Sequence, residues 1–416
     1  MELRSGYKKT EIGVIPEDWD VTKLGEVAQL YQPVTISAAV LSKDGYPVYG
    51  ANGVVGYYSK TNHDSWQTTV TCRGSTCGTV NRTVDRCWIT GNAMVANIDR
   101  NPKIDKEFFY FLMLFQDFVD CITGTGQPQI VRGPLADFRL AVPRKLSEQK
   151  AIAEALSDVD ASIAALSRLI AKKRDLRQGA MQRLLTGQTR LPGFTASWQE
   201  KRLGDHVAFL KNGIQSRAQL TLSDPVRYLH YGDIHVTPDL YLDLSNTDMP
   251  RLPSPAAAGL TRLQDGDIVF VDASEDLNGV GKSLEIVGAI GVEAVSGQHT
   301  IAGRFDKSVL ADGFKRYLQF IPAFTVHLRR LAAGTKVYAT NRKHIASAEL
   351  QLPETDEQIA IARVLSDMEL EISALEARLD KARALKQAMM QALLTGRVRL
   401  PVRRDAAPQP KEAAHA

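Results

Sequence analysis

EQKAIAEALSDVDASIAALSRLIAKKRDLRQGAMQRLLTGQTRLP, residues 148–192, returns as EQIAIARVLSDMELEISALEARLDKARALKQAMMQALLTGRVRLP, residues 357–401, each residue displaced by 209 with no slip. Self-similarity at a fixed period marks the duplication of a supersecondary unit, and a period this long is no solenoid. The chain therefore reads as two equivalent halves, in which two large modules alternate with two copies of one helix. Such a chain serves a partner or ligand that is itself two-fold.

The apolar spacing makes the repeat helical. Ile152, Leu156, Val159, Ile163, Leu166 and Ile170 recur as Ile361, Leu365, Met368, Ile372, Leu375 and Leu379, in alternating steps of four and three. An average step of about 3.5 residues keeps one narrow seam turned to a partner helix, whereas a globular helix shows a broader stripe. Each copy runs roughly 38 residues to the glycine of LLTG (Gly187, Gly396), a helix-terminating position. At about 1.5 Å per residue that is a rod of roughly 55 Å. Separate burial in two domains is the bland alternative. Identical seams of identical length are better explained by the two copies pairing with each other.

A chain of 416 residues, 44% hydrophobic and 24% charged, has the composition of two or three ordinary globular domains. It contains no run of 18 apolar residues and its first residues carry no apolar signal core, so neither a membrane span nor a secretory signal is expected. The four cysteines, Cys72, Cys77, Cys87 and Cys121, form no CxxC pair and read as free thiols of a reducing cytoplasm. A net charge of +4 fits a nucleic-acid partner without demanding one.

Between the repeats lie modules of about residues 21–142 and 199–352, and their edges match. Trp19 and Leu24-Gly25 precede Trp198 and Leu203-Gly204 by 179 residues, while Gly124 and Pro143 precede Gly334 and Pro353 by 210. The second module has therefore gained 31 residues in its middle, where the two do not align. Each module is expected to carry one helix before its closing glycine, at 107–121 and 315–331, amid short β-like runs such as 46–58 and Ile268–Val271. Each reads as α+β. The segment after Pro401 has too few apolar residues to fold and is expected to be disordered.

Catalytic motifs are nearly absent. GVGKS, residues 279–283, resembles the end of a phosphate-binding loop, but Asp276 stands where that loop needs another glycine. GTG, residues 124–126, lacks the third glycine of a dinucleotide site and a strand before it. Asn101-Pro102 continues as Lys103-Ile104, not as the NPPY of amino-methyltransferases. Asp272, Glu275 and Asp276 could hold a cation, although a solvated turn explains them as well. No metal and no cofactor are assigned to this chain.

The order module, helix, module, helix, with the repeat text EQ.AIA..LSD…LLTG..RLP, closely resembles the DNA-specificity subunit of type I restriction-modification systems. IPEDW (15–19), YPVYGANGVVGYY (46–58), TCRGSTCGTVN (71–81), GTGQPQI (124–130) and SGQH (296–299) look like segments of that family's target-recognition domains. The resemblance covers nearly the whole chain. It implies a non-catalytic cytoplasmic subunit in which two modules read the parts of a split DNA target and the helical repeats bind two methyltransferase subunits, and through them restriction/translocase subunits. S-adenosylmethionine, ATP and Mg would then reside on those partners.

Reading DNA requires groove-facing donors held on a frame anchored at phosphates, and glycine-containing loops approach DNA closely because they lack a Cβ. Asn52, Arg73, Ser75, Gln127 and Gln129 meet that description in the first module; Lys282, Gln298, His299, Lys336, Tyr338, Asn341 and Arg342 do so in the second. Gln127/Gln129 and Lys336/Tyr338 are read as occupying equivalent places after the matched glycines. The run Lys172, Lys173, Arg174, Arg177 could touch phosphates, complement the helix dipole or be a solvated face. The expected architecture is α+β: a first target-recognition domain (1–142), a helical spacer (143–192), a second recognition domain (193–352), a second spacer (353–400) and a disordered tail (401–416), the long helices pairing as an antiparallel coiled coil with pseudo-two-fold symmetry. The rival readings are a nucleotide-dependent DNA-modifying enzyme with its site in the 31-residue excess, and a free-standing DNA-binding regulator or scaffold.

Overall fold

The computed structural model describes residues 4–124, 126–332, 334 and 337–401. Lys336 and, apart from Pro401, the tail expected to be disordered lie outside the described residues. Both repeats fold as single helices of 39 residues, Leu146–Leu184 and Thr355–Leu393. Gly187 and Gly396 follow them with φ of +69°, the left-handed conformation that ends a helix and that other residues adopt at a cost.

All twelve seam residues are buried or half-buried. The chain divides into two compact units, residues 1–167 with 377–416 and residues 168–376, and the division runs through the two helices. Each unit thus holds one module and half of each helix. In the first, Lys386 of the second helix meets Asp160 of the first at 2.7 Å. In the second, Lys173 meets Glu371 at 2.7 Å and Arg177 meets Glu369 at 3.5 Å, so ascending one helix descends the other. The pairing is antiparallel.

The first unit is framed by Trp19–Lys23 and Arg139–Pro143, an antiparallel pair with Trp19 opposite Pro143. The turn Leu24–Val27 then packs on the helix Arg132–Asp137 so closely that a Cβ on Gly25 would stand 2.9 Å from that of Ala136. Inside the frame lies a four-stranded sheet in the order Gln29–Tyr31, Ala93–Asn97, Thr68–Thr71, Val80–Arg82, and beside it a smaller sheet carrying the hairpin Tyr46–Gly50 and Gly53–Tyr58. The expected helix at 107–121 is shorter: it spans Lys106–Phe115 and is followed by a 3-10 turn, Val119–Cys121. Side chains end it, as Gln116 donates back to the Leu112 carbonyl and Asp117 accepts from the Val119 amide. Phe108, Phe111 and Leu112 share one core with Ile152 and Leu156 of the first long helix and Leu393 of the second.

The second unit repeats that frame. Gln199–Arg202 pairs with Glu349–Leu352, and Gly204 lies against the helix Arg342–Ala346, where a Cβ would stand 2.7 Å from the Ala346 carbonyl oxygen. Its middle differs from that of the first unit. A five-stranded sheet runs Val207–Phe209, Thr300–Phe305, Ile268–Val271, Ser283–Val287, Tyr241–Asp243, and a three-stranded sheet joins Arg251–Leu252, Val226–Leu229 and Ala294–Ser296. The helix expected at 315–331 is split, because Pro322 has no N–H to give and forces Ile321 into extended backbone. A 3-10 stretch, Lys315–Phe320, precedes the break and Pro322–Leu331 follows it.

Two polar residues opening each repeat fasten module to helix. Glu148, 3% exposed, accepts from the Trp19 indole at 3.4 Å and from the Arg399 guanidinium, whose other edge holds Asp18 at 2.9 Å. Glu357, 2% exposed, accepts from Trp198 at 3.2 Å and from Arg190 through two bonds of 2.6 Å. Arg190 and Arg399 are the same residue of the repeat, so each copy's arginine holds the other copy's glutamate. The neighbouring glutamines do for the backbone what the glutamates do for charge: Gln149 takes the Asp105 amide and donates to the Lys103 and Pro143 carbonyls, and Gln358 takes the Ala311 amide and donates to Val309 and Pro353.

Candidate nucleic-acid interface

In the first unit, distant loops converge. The loop after Thr68–Thr71 is laced to the segment behind Gly124: Arg73 and Gln129 face each other as bridge partners, Gly74 donates to Pro128 at 3.2 Å and Ile130 donates to Cys72 at 2.9 Å. The hairpin turn joins them through a hydrogen bond from the Thr71 hydroxyl to the Ala51 carbonyl, next to Asn52. Asn52, Arg73, Ser75, Gln127 and Gln129 are all exposed. Five residues drawn from three stretches of sequence thus share one neighbourhood.

The second unit sorts its candidates into two groups. His299 has a φ of +58°, unusual for a side-chain-bearing residue, and its ring stands edge-on to Tyr231 at 5.4 Å with Nδ1 3.2 Å from Asp272. Gln298 lies beside it and is positioned through its backbone, donating to the Tyr228 hydroxyl at 2.8 Å. Tyr338 reaches the same place because Tyr338–Ala339 pairs with Ala273–Ser274, immediately after Asp272. Of these, His299 lines a recess of about 410 Å³, together with Tyr231, His235, Ser274 and Val337.

Other candidates are occupied by the framework. The Lys282 ammonium donates to the His235 and Thr237 carbonyls at 2.8 and 3.3 Å, and burial pushes its pKa down. Asn341 caps the helix Arg342–Ala346, accepting from the Lys343 amide at 2.9 Å, and Arg342 turns back to the Leu210 carbonyl at 2.7 Å. Lys336 lies outside the described residues. The matching of Gln127 with Lys336 needs correction by one position. A Cβ on Gly124 would meet the Gln127 carbonyl and one on Gly334 the Val337 carbonyl, so Val337 holds the place of Gln127. Gln129 bridges Arg73 and also pairs with Thr123, while Tyr338 pairs with Ser274. Tyr231 and His235 were missed in the sequence, although their four-residue spacing puts both on one side of the short helix Tyr231–Val236.

The VDASED carboxylates gather no metal site: among the described residues no group of three His, Cys, Asp or Glu is placed to hold an ion, and Asp272 faces His299 instead. No described helix is long and apolar enough to cross a membrane. The basic run of the first long helix is largely an interhelical stitch, with Lys173, Arg174 and Arg177 meeting Glu371, Glu376 and Glu369.

Among the described residues each unit also has a groove along its helix pair, and the two linings correspond under the shift of 209. Asp160, Ile163, Arg383, Lys386 and Gln387 line the groove of the first unit, and Glu369, Ile372, Arg174, Arg177 and Gln178 that of the second. Arg174 and Gln178 are exposed, as are their identical counterparts Arg383 and Gln387.

Residues 16–172 match the family model of the type I restriction modification DNA specificity domain. The specificity subunit of the MjaVIII type I restriction enzyme from Methanocaldococcus jannaschii is 23% identical over 93% of this chain and 94% of its own length. That of the EcoprrI enzyme from Escherichia coli is 28% identical over 28% of each chain. The fold matches the crystal structure of a type I restriction-modification S subunit from M. genitalium with a TM-score of 0.61, at 14% identity, over 94% of this chain and 98% of that one. Residues 16–172 thus carry a match to the type I restriction modification DNA specificity domain, and nearly the whole chain is similar to type I specificity subunits in sequence and to an S subunit in fold.

Proposed function

We propose that the chain reads a bipartite, asymmetric DNA target in the cytoplasm, one half-site per unit, and seats two methyltransferase subunits, through which restriction/translocase subunits join. Methyl transfer and ATP-driven steps belong to those partners, with S-adenosylmethionine, ATP and Mg. One observation carries the reading. The units share a frame residue for residue, in Trp19 and Trp198, Glu148 and Glu357, Gly25 and Gly204, yet present unlike surfaces: an Asn, Arg and Gln cluster in one, a His and Tyr recess in the other. Equivalent frames hold two readers in equivalent ways, and different side chains read different bases. A palindromic target would need like contents. Mapping methylated sites genome-wide in cells carrying this chain and its partners is expected to return two unlike half-sites around an unread gap; a continuous or palindromic motif would refute the reading.

The repeated groove supports the second half of the proposal. Two nearly identical surfaces are suited to two copies of one subunit. Native mass spectrometry of the co-expressed complex is expected to show two methyltransferase subunits per chain, and a stable one-to-one complex at saturation would count against it.

A further inference from the structure

Half-buried arginines in the second unit are, with two exceptions, matched to carboxylates. Arg190 holds Glu357, Arg304 holds Asp267, Arg262 holds Glu293 and Arg316 holds Glu285, all within 3.3 Å, and Arg177 meets Glu369 at 3.5 Å. Among the described residues Arg227 has no carboxylate partner and Arg251 only a distant, largely exposed one. They are direct cross-strand partners in the antiparallel pair Val226–Leu229 and Arg251–Leu252, so their side chains leave the same face of the sheet side by side. Arg227 Nη1 and Arg251 Nε are buried with no hydrogen-bond partner. The nearest carboxylate of Arg251 is the largely exposed Asp248 at 4.0 Å, and its one other acceptor is the Asp224 carbonyl at 3.5 Å.

Like charges directly opposed across strands destabilise a sheet, and buried donors without acceptors add to that cost. A sheet that keeps both arginines gains from them elsewhere. Two forked guanidinium groups side by side suit one chemistry, the several acceptor oxygens of a phosphate group. The strand bearing Arg227 leads straight into Tyr231, which lines the candidate reading recess four residues on. The strand ends at Leu229, and from Arg227 to Tyr231 the chain reaches at most about 14 Å, the scale of a few nucleotides.

We propose that Arg227 and Arg251 form a phosphate clamp that grips the DNA backbone beside the half-site read by the second unit. The clamp rests on the DNA-reading function proposed above for its ligand, but not for its chemistry. Phosphate contacts fix the position of a reader without specifying bases, so the clamp governs affinity and salt dependence and leaves the target sequence alone.

The test pairs the full chain with Arg227→Gln, Arg251→Gln and the double variant. In phosphate-free buffer the variants are expected to melt at or above the wild-type temperature, because an opposed charge has been removed. Lower melting would show the arginines to be structural and overturn the clamp. Inorganic phosphate, against chloride at equal ionic strength, is expected to raise the melting temperature of the wild type and not that of the double variant; equal shifts would overturn it. In the complex with its methyltransferase subunits, the slope of log affinity against log salt is expected to fall by about 0.9 per lost phosphate contact, with the target sequence unchanged. A phosphate shift with an unchanged slope would assign the clamp to free phosphate. A wild-type complex that bound no DNA would remove the DNA-reading proposal, and the phosphate measurements would still decide the clamp.

Discussion

Replacing Arg399 by alanine is expected to destabilise the first unit by about 3 kcal/mol, a large part of the stability of an ordinary domain. The cost does not come from losing a surface ion pair. It comes from Glu148, 3% exposed, which would keep its charge in the interior with the Trp19 indole as its remaining side-chain donor. The hydrogen bonds that Arg399 donates to Asp18 hold its guanidinium above its usual range and hold the Asp18 carboxyl below the ordinary aspartate value of 3.8. Asp18 therefore contributes stability that is complete above that value and is lost as pH falls through the lower folded-state value. Hydrogen exchange is the measurement. Arg399→Ala should speed exchange in residues 4–167 and leave residues 168–376 near wild type, while Arg190→Ala, which strands Glu357, should do the converse. Adding Glu148→Gln to Arg399→Ala should restore much of the loss, since a neutral amide is cheaper to bury than an unpaired carboxylate. Equal exchange in both units for either single variant would show that the exchanged arginines are not what fastens them.

Inserting four residues after Ala164 is expected to change the enzyme's target in one respect, lengthening the unread gap by about one or two base pairs. Four residues extend a helix by about 6 Å, and one base pair rises about 3.4 Å. Four is also close to one turn, so the seam stays nearly in register with a local stutter. Both half-site sequences should be unchanged in the methylation map. Replacing Gln127 and Gln129 by alanine should have the opposite outcome, degrading one half-site and leaving the gap as it was. New half-site bases in the insertion variant, or an unchanged gap in a complex that still methylates, would mean that the helices are not the ruler.

The long helices were legible in the sequence because their signal is periodic and local. Alternating steps of four and three place twelve named residues on one seam, all of them buried or half-buried, and a helix-ending glycine is recognised by conformational freedom that no other residue has. The module edges were legible for a related reason: Gly25 and Gly204 recur because a Cβ would meet a neighbouring helix. The interior of the modules was not legible. The helix expected through Gln116 stopped there because side chains captured the backbone, and the one expected across Pro322 could not pass a residue without an N–H. Residue type alone did not tell a reader from a brace. Lys282, Asn341 and Arg342 are of the residue types suited to DNA, yet the fold turns them onto backbone partners, whereas Arg73 and Gln129, 56 residues apart, become neighbours only through strand pairing. The sequence by itself determined the duplication, the helices and the frame, since each depends on spacing within a continuous segment. Tertiary structure decided which polar side chains face outward and which repeat's arginine meets which glutamate, because those depend on contacts between segments far apart in the chain.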